Sequence, residues 1–162
     1  MVIKRGVILI NLFFAAICGH VYGQGNGFTG TEVRYYGTGC LTIQRGSTAI
    51  LTDPYISNIP AFKASLGKVL TDKEYVDLYI NPGALREVKM VVSGHSHYNH
   101  LLDLPHLAKY IPLSTPVLLN KSGHQTLSYY QLKHRLIVVN DVAGNDQQLG
   151  YWYYSADSSV RA

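Results

Sequence analysis

Three imidazoles fall within six positions in the stretch Ser93-Gly94-His95-Ser96-His97-Tyr98-Asn99-His100. Neutral imidazole is the commonest protein metal ligand, and histidines delivered into a loop by an apolar strand are a recurring way to build a metal site. Here the apolar run is Val88-Lys89-Met90-Val91-Val92. Side-chain direction repeats every two residues on an extended chain, so His95, His97 and Asn99 are expected on one side if strand geometry persists. His100 breaks that period and reaches the same centre only if the backbone turns. The segment from Leu101 to Leu107 has the pattern of a helix start that would supply the turn. The opposing reading is that histidines are commonly surface or hydrogen-bonded structural residues, and that His-x-His pairs also occur by chance or in weak metal-binding tracts. Clustering and placement favour the metal reading for His95, His97 and His100, and for no other histidine of the chain.

The elements that must hold this loop are legible around it. Glu32 to Tyr36, Cys40 to Gln44 and Thr48 to Thr52 each carry strand patterning and are separated by the turn signals Gly37-Thr38-Gly39 and Arg45-Gly46-Ser47. The third run ends in Asp53-Pro54, where proline stops a central strand and leaves a carboxylate at its tip. Two readings of Asp53 stay open: it caps a turn, or it accepts a hydrogen bond that orients a ligating imidazole. Tyr55 to Glu87 is a less regular connection in which Thr71 to Ile80 predicts a helix and Asn81 to Leu85 a turn. Its aromatic residues Tyr55, Phe62 and Tyr79 are candidate walls of a substrate pocket, although such residues more often cover a core. Beyond the histidines, Leu104 to Tyr110 predicts a helix, Thr115 to Asn120 a strand, Ser122 to Lys133 a helix capped by Ser122, and Arg135 to Val139 a strand. Leu149 to Tyr154 is a last β-rich run. Strands alternating with helices imply an α/β fold with a sheet covered by helices.

The beginning of the chain reads as an address. Lys4 and Arg5 precede the apolar segment Gly6 to Ile17, and Val21-Tyr22-Gly23 before Gln24 has small-x-small character, which together predict a signal peptide over residues 1–23 cleaved after Gly23. The apolar segment is shorter than the ~20 residues needed to span a bilayer, so no stable membrane span is expected after cleavage. The expected location is secreted or periplasmic. A lipoprotein acylated at Cys18 is the alternative, disfavoured by the bulky Ile17. Residues 24–30 are expected to be a Gly-rich flexible lead-in, and 31–162 a single domain.

Loss of the signal leaves 12 Lys+Arg against 10 Asp+Glu. That near-neutral balance gives nucleic-acid binding no electrostatic support. It also leaves Cys40 without a partner, so the fold is not disulfide-stapled, and Cys40 reads as a small core residue more readily than as a nucleophile. An apolar fraction of 47% with 15% charged residues suits a chain with a real core.

The order of these parts resembles the amino-terminal half of the metallo-β-lactamase fold superfamily. The residues that carry the resemblance are Thr52-Asp53-Pro54 after consecutive strands, then the apolar strand and Ser93 to Asp103, which is similar to that family's His-x-His-x-Asp-His signature. The resemblance covers about Val33 to Tyr154. It implies half of an αββα sandwich, a mixed sheet with covering helices, and zinc-dependent hydrolysis of a small-molecule substrate by a metal-activated water. By the same resemblance His95 and His97 are ligands of a first Zn²⁺, His100 serves a second, and Asp53 supports them. The bond cleaved is open among phosphodiester, lactone and other ester-like groups.

Two departures stand against the family pattern. Asn99 occupies the position of an aspartate, and a neutral amide offers only a weak carbonyl ligand and cannot act as a base. This puts a second metal in doubt. The family also draws a histidine, a bridging aspartate and another histidine from later strands, whereas His124 and His134 fall at the ends of a predicted helix and read as capping or surface residues. The domain is therefore expected to be incomplete at its C-terminus, either a fragment of a longer hydrolase or a truncated, decayed copy. The alternative function is a non-catalytic metal-binding protein.

Overall fold

The computed structural model describes residues 30–139 and 151–162. The predicted signal peptide and most of the lead-in lie outside the described residues, as do Leu149 and Gly150. No helix among the described residues is long and apolar enough to cross a membrane.

The fold is α/β, built on one six-stranded mixed sheet whose strands follow chain order. β1 (Glu32–Gly37), β2 (Cys40–Arg45) and β3 (Thr48–Thr52) form an antiparallel meander. β4 (Val88–Val92), β5 (Val117–Leu119) and β6 (Leu136–Val138) then add in parallel. Gly46 at φ +58° closes the β2–β3 turn in the left-handed region that glycine enters at little cost. A parallel pair needs a crossover, and helices supply each one. Between β3 and β4 come α1 (Ala61–Ser65), α2 (Lys73–Tyr79) and α3 (Pro82–Leu85). Between β4 and β5 come α4 (Tyr98–Leu101) and α5 (Leu104–Leu107), and α6 (Lys121–Ser128) leads into β6.

The main core lies between the sheet and these helices. Ala49, Leu51, Val91, Val117 and Leu119 meet Val76, Leu85, Leu101, Leu104, Leu107 and Leu127 there. Burial of each leucine contributes about 1.5–3 kcal/mol. The opposite sheet face carries a smaller cluster of Met90, Leu118 and Val160, with Ile50, Val92, Ile137 and Tyr153 packed against it.

Several boundaries differ from the sequence expectation for local reasons. The helix expected from Ser122 to Lys133 runs from Lys121 to Ser128, and Asn120, not Ser122, caps its start by accepting from Gly123 N at 2.7 Å. The helix expected over Leu104 to Tyr110 stops at Leu107, and a separate short helix, α4, precedes it. The turn expected at Asn81 to Leu85 is helical, with the Asn81 side chain accepting from Gly83 N and Pro82 at the first position. Among the described residues of the last β-rich run, Tyr154 forms an isolated bridge with Arg161, and Tyr153 exchanges backbone hydrogen bonds with Ala162. The intervening reversal is tied by Asp157, which accepts from Ser155 Oγ, Ser159 N and Ser159 Oγ at 2.6–3.0 Å.

Candidate metal centre

The parallel pairing of β3 with β4 sets the two loops side by side. Both strands release the chain at the same edge of the sheet, where open α/β sheets usually hold their ligands. The ladder continues past the strands, since Asp53 N donates to Val92 O at 2.9 Å and Ser93 N to Leu118 O at 2.8 Å. The Asp53-Pro54 turn and the histidine loop therefore leave the sheet from adjoining positions.

Asp53 tethers the histidine loop to its own strand tip and stands beside His100 without a hydrogen bond to it. Its backbone sits at φ +38°, a left-handed conformation that aspartate tolerates better than most residues. Its Oδ1 accepts from Gly94 N at 2.8 Å and from Ser93 Oγ at 3.2 Å, which tethers the start of the histidine loop. The same oxygen lies 3.2 Å from His100 Nδ1. Gly39 makes room for this carboxylate: a Cβ there would stand 2.5 Å from Asp53 Oδ2, well inside contact distance. The glycine is thus required by close approach, not by its own dihedral angles.

The three imidazoles are neighbours. The strand ends at Val92, and His97 begins α4 as its N-cap with no side-chain cap bond, so its ring is free for other use. The single turn of α4 brings His100 back toward the loop. The His95 and His97 rings meet edge to face with centroids 4.1 Å apart, and the His95 and His100 rings do so at 5.3 Å. His95 and His97 are exposed, and His100 is half-buried. Asn99 is half-buried on the same helical turn.

As a ligand set the cluster is unfinished. Among the described residues no group of three or more His, Cys, Asp or Glu side chains converges as a metal cage. The rings lie edge to face against one another, a packing arrangement, instead of aiming their nitrogens at one point. One atom departs from that account. His100 Nδ1 is buried without a hydrogen-bond partner, because its approach to Asp53 is close in distance but misaligned. A buried polar nitrogen left unsatisfied costs about 1–3 kcal/mol. Such an atom beside a carboxylate and two exposed imidazoles offers nitrogen and oxygen donors of the kind that bind metal ions.

The residue that composition and spacing did not single out is Asp103. It is completely buried, and its carboxylate accepts from Ile56 N at 2.6 Å, Ser57 N at 2.7 Å and Ser57 Oγ at 2.6 Å. Asp103 N in turn donates to Pro54 O at 3.2 Å. The loop that follows Asp53 is thereby clamped to the helices that follow the histidines. An acid inside Leu101-Leu102-Asp103-Leu104 was the available signal, since a carboxylate in an apolar run must find donors.

The remaining candidates separate. Tyr55 is buried and meets Tyr98 edge to face at 5.9 Å, which places it near the histidine loop. Phe62 and Tyr79 are exposed, and Tyr79 packs on Tyr75. Cys40 is fully buried, and desolvation pushes its thiol up to about 12, so it is a core residue. His124 lies in the first turn of α6. His134, expected at the surface or a helix end, is instead buried with Nε2 3.2 Å from Ile111 O. The correction follows from the early end of α6, which lets residue 134 turn inward before β6.

No protein-family profile matches the chain, and no curated protein matches it. Among solved structures it is similar to a possible metal-dependent hydrolase from Veillonella parvula DSM 2008, with 20% identity and a TM-score of 0.44. The match covers 72% of this chain and 44% of that one, so the chain spans less than half the length of the neighbour.

Proposed function

We propose that the protein is a metal-dependent hydrolase, or the metal-binding half of one, with zinc held by His95, His97 and His100. The observation that carries this reading is the gathering of the three imidazoles at the carboxyl end of β4, with the buried, unpartnered His100 Nδ1 3.2 Å from Asp53 Oδ1. Zinc, when bound, supplies Lewis acidity and lowers the pKa of water from about 15.7 to about 7. The chain's own residues do the positioning. Asp53 fixes the loop through Gly94 N and holds its carboxylate 3.2 Å from His100 Nδ1, Asp103 locks the Asp53 loop to α4 and α5, and the exposed His95 and His97 leave the site open to a small substrate. Export through the amino-terminal segment belongs to the same proposal.

A second reading is non-catalytic metal binding, favoured by Asn99, which cannot hold or relay a proton as an aspartate would. One experiment separates them. The purified protein is dialysed against Zn²⁺, its bound metal measured by elemental analysis, and turnover followed on bis(4-nitrophenyl) phosphate and on a γ-lactone. Stoichiometric zinc with turnover abolished in His95→Ala/His97→Ala supports the hydrolase. Zinc without turnover supports the second reading, and a protein that retains no metal sinks both.

A further inference from the structure

A second cleft opens among the helices, sharing no lining residue with the histidine loop. It has a volume of about 500 Å³ and is lined by Leu70, Thr71, Lys73, Leu102, Pro105, His106, Lys109 and Tyr130. That volume is in the range of small-molecule sites. Its ionisable lining groups other than the tyrosine are all basic: Lys73, His106 and Lys109. Leu70, Leu102, Pro105 and Tyr130 supply apolar surface beside them.

Of the nearby acids, Asp77 and Asp72 are already engaged, and Glu74 is exposed in the first turn of α2 beside Lys73. Asp77 accepts at 2.7 Å from His106 Nε2 and at 3.3 Å from Tyr110 Oη, with Lys109 Nζ 3.8 Å away. The Asp72 side chain caps α2 by accepting from Tyr75 N. Lys73 forms no ion pair among the described residues. Behind the cleft the wall is fixed by Thr71 Oγ1, which donates to Leu102 O at 2.8 Å.

We propose that this cleft binds a small organic anion, with its apolar body on Leu70, Leu102, Pro105 and Tyr130 and its carboxylate or phosphate headgroup on Lys73 and Lys109. The charge selects the ligand and the apolar wall holds it. Neither half alone accounts for a cleft in which basic and apolar residues share one lining.

The test is calorimetric titration of the full chain with octanoate, octyl phosphate, octanol and inorganic phosphate, with amide shifts followed by NMR. Octanoate or octyl phosphate is expected to bind at least about tenfold tighter than octanol, a difference of about 1.4 kcal/mol, with shifts at Leu70, Thr71, Leu102 and Lys109. The Lys73→Met/Lys109→Met variant is expected to lose that margin while octanol binding stays the same, and raised salt is expected to weaken the wild type only toward the anions. Equal binding of octanol would overturn the charge recognition. Inorganic phosphate binding as tightly as octyl phosphate would overturn the apolar contribution. Absence of binding, or shifts confined to other residues, would overturn the site.

Discussion

The Asp103 carboxylate receives both the backbone N–H and the hydroxyl of Ser57, at 2.7 and 2.6 Å, across 46 residues of chain. The Ser57 hydroxyl also accepts from Asp72 N at 2.8 Å, so one oxygen joins the Asp53 loop, the start of α2 and the α4–α5 junction. Removing a fully buried acceptor leaves three donors stranded. Asp103→Ala is expected to cost about 3 kcal/mol or more, and Ser57→Ala about 1–2 kcal/mol. A double-mutant cycle by urea denaturation should show strong coupling between the two. Additive effects would mean that the clamp is not what holds the loop.

Gly39 and Asp53 are related by space alone. In Gly39→Ala the new methyl group lands 2.5 Å from Asp53 Oδ2, and the carboxylate must move. The bond from Gly94 N to Asp53 Oδ1 should then loosen. Hydrogen exchange at the Gly94 amide is expected to accelerate, with a stability loss of about 1–3 kcal/mol from overpacking. Unchanged exchange at Gly94 would show that the carboxylate has another place to go.

Asn99 limits the second metal in the proposed site. Asn99→Asp supplies a carboxylate in place of an amide oxygen, and zinc content per chain is expected to rise. Elemental analysis after dialysis measures it. No change would place residue 99 outside the site or mean that the partner ligands are missing.

Cys40 is expected to be inert while the protein is folded, because burial holds its thiol at about 12 and the thiolate is the reactive form. In a Cys18→Ser background, Ellman's reagent at pH 8 should label nothing natively and one thiol in denaturant. Rapid native labelling would mean that the β1–β2 hairpin opens readily.

The meander, the strand ahead of the histidines and the α/β class were legible because alternation, Gly turns and Asp53-Pro54 are local signals. The Asp103 clamp was not, because its three donors come from Ile56 and Ser57, and only the parallel pairing of β3 with β4 brings them near. The start of α6 was misplaced because Asn120 and Ser122 both have cap chemistry, and the choice between them rests on the contact with Gly123 N. His134 was expected at a helix end or the surface because the helix was expected to run to Lys133, and its observed end at Ser128 leaves residue 134 in the segment that turns inward before β6.

Asp77 gives the fold a dependence on acid. The hydrogen bond from His106 is the main cause that holds its carboxyl below the usual range, with the charges of His106 and Lys109 adding to it. A depressed folded-state pKa means stability that is complete above the unfolded value of about 3.9 and lost as pH falls through the lower, folded one. Wild type and Asp77→Asn should therefore differ in urea midpoint at pH 6, and the gap should close progressively below about pH 4. A gap that persisted unchanged at low pH would mean that Asp77 contributes by packing and not by its charge.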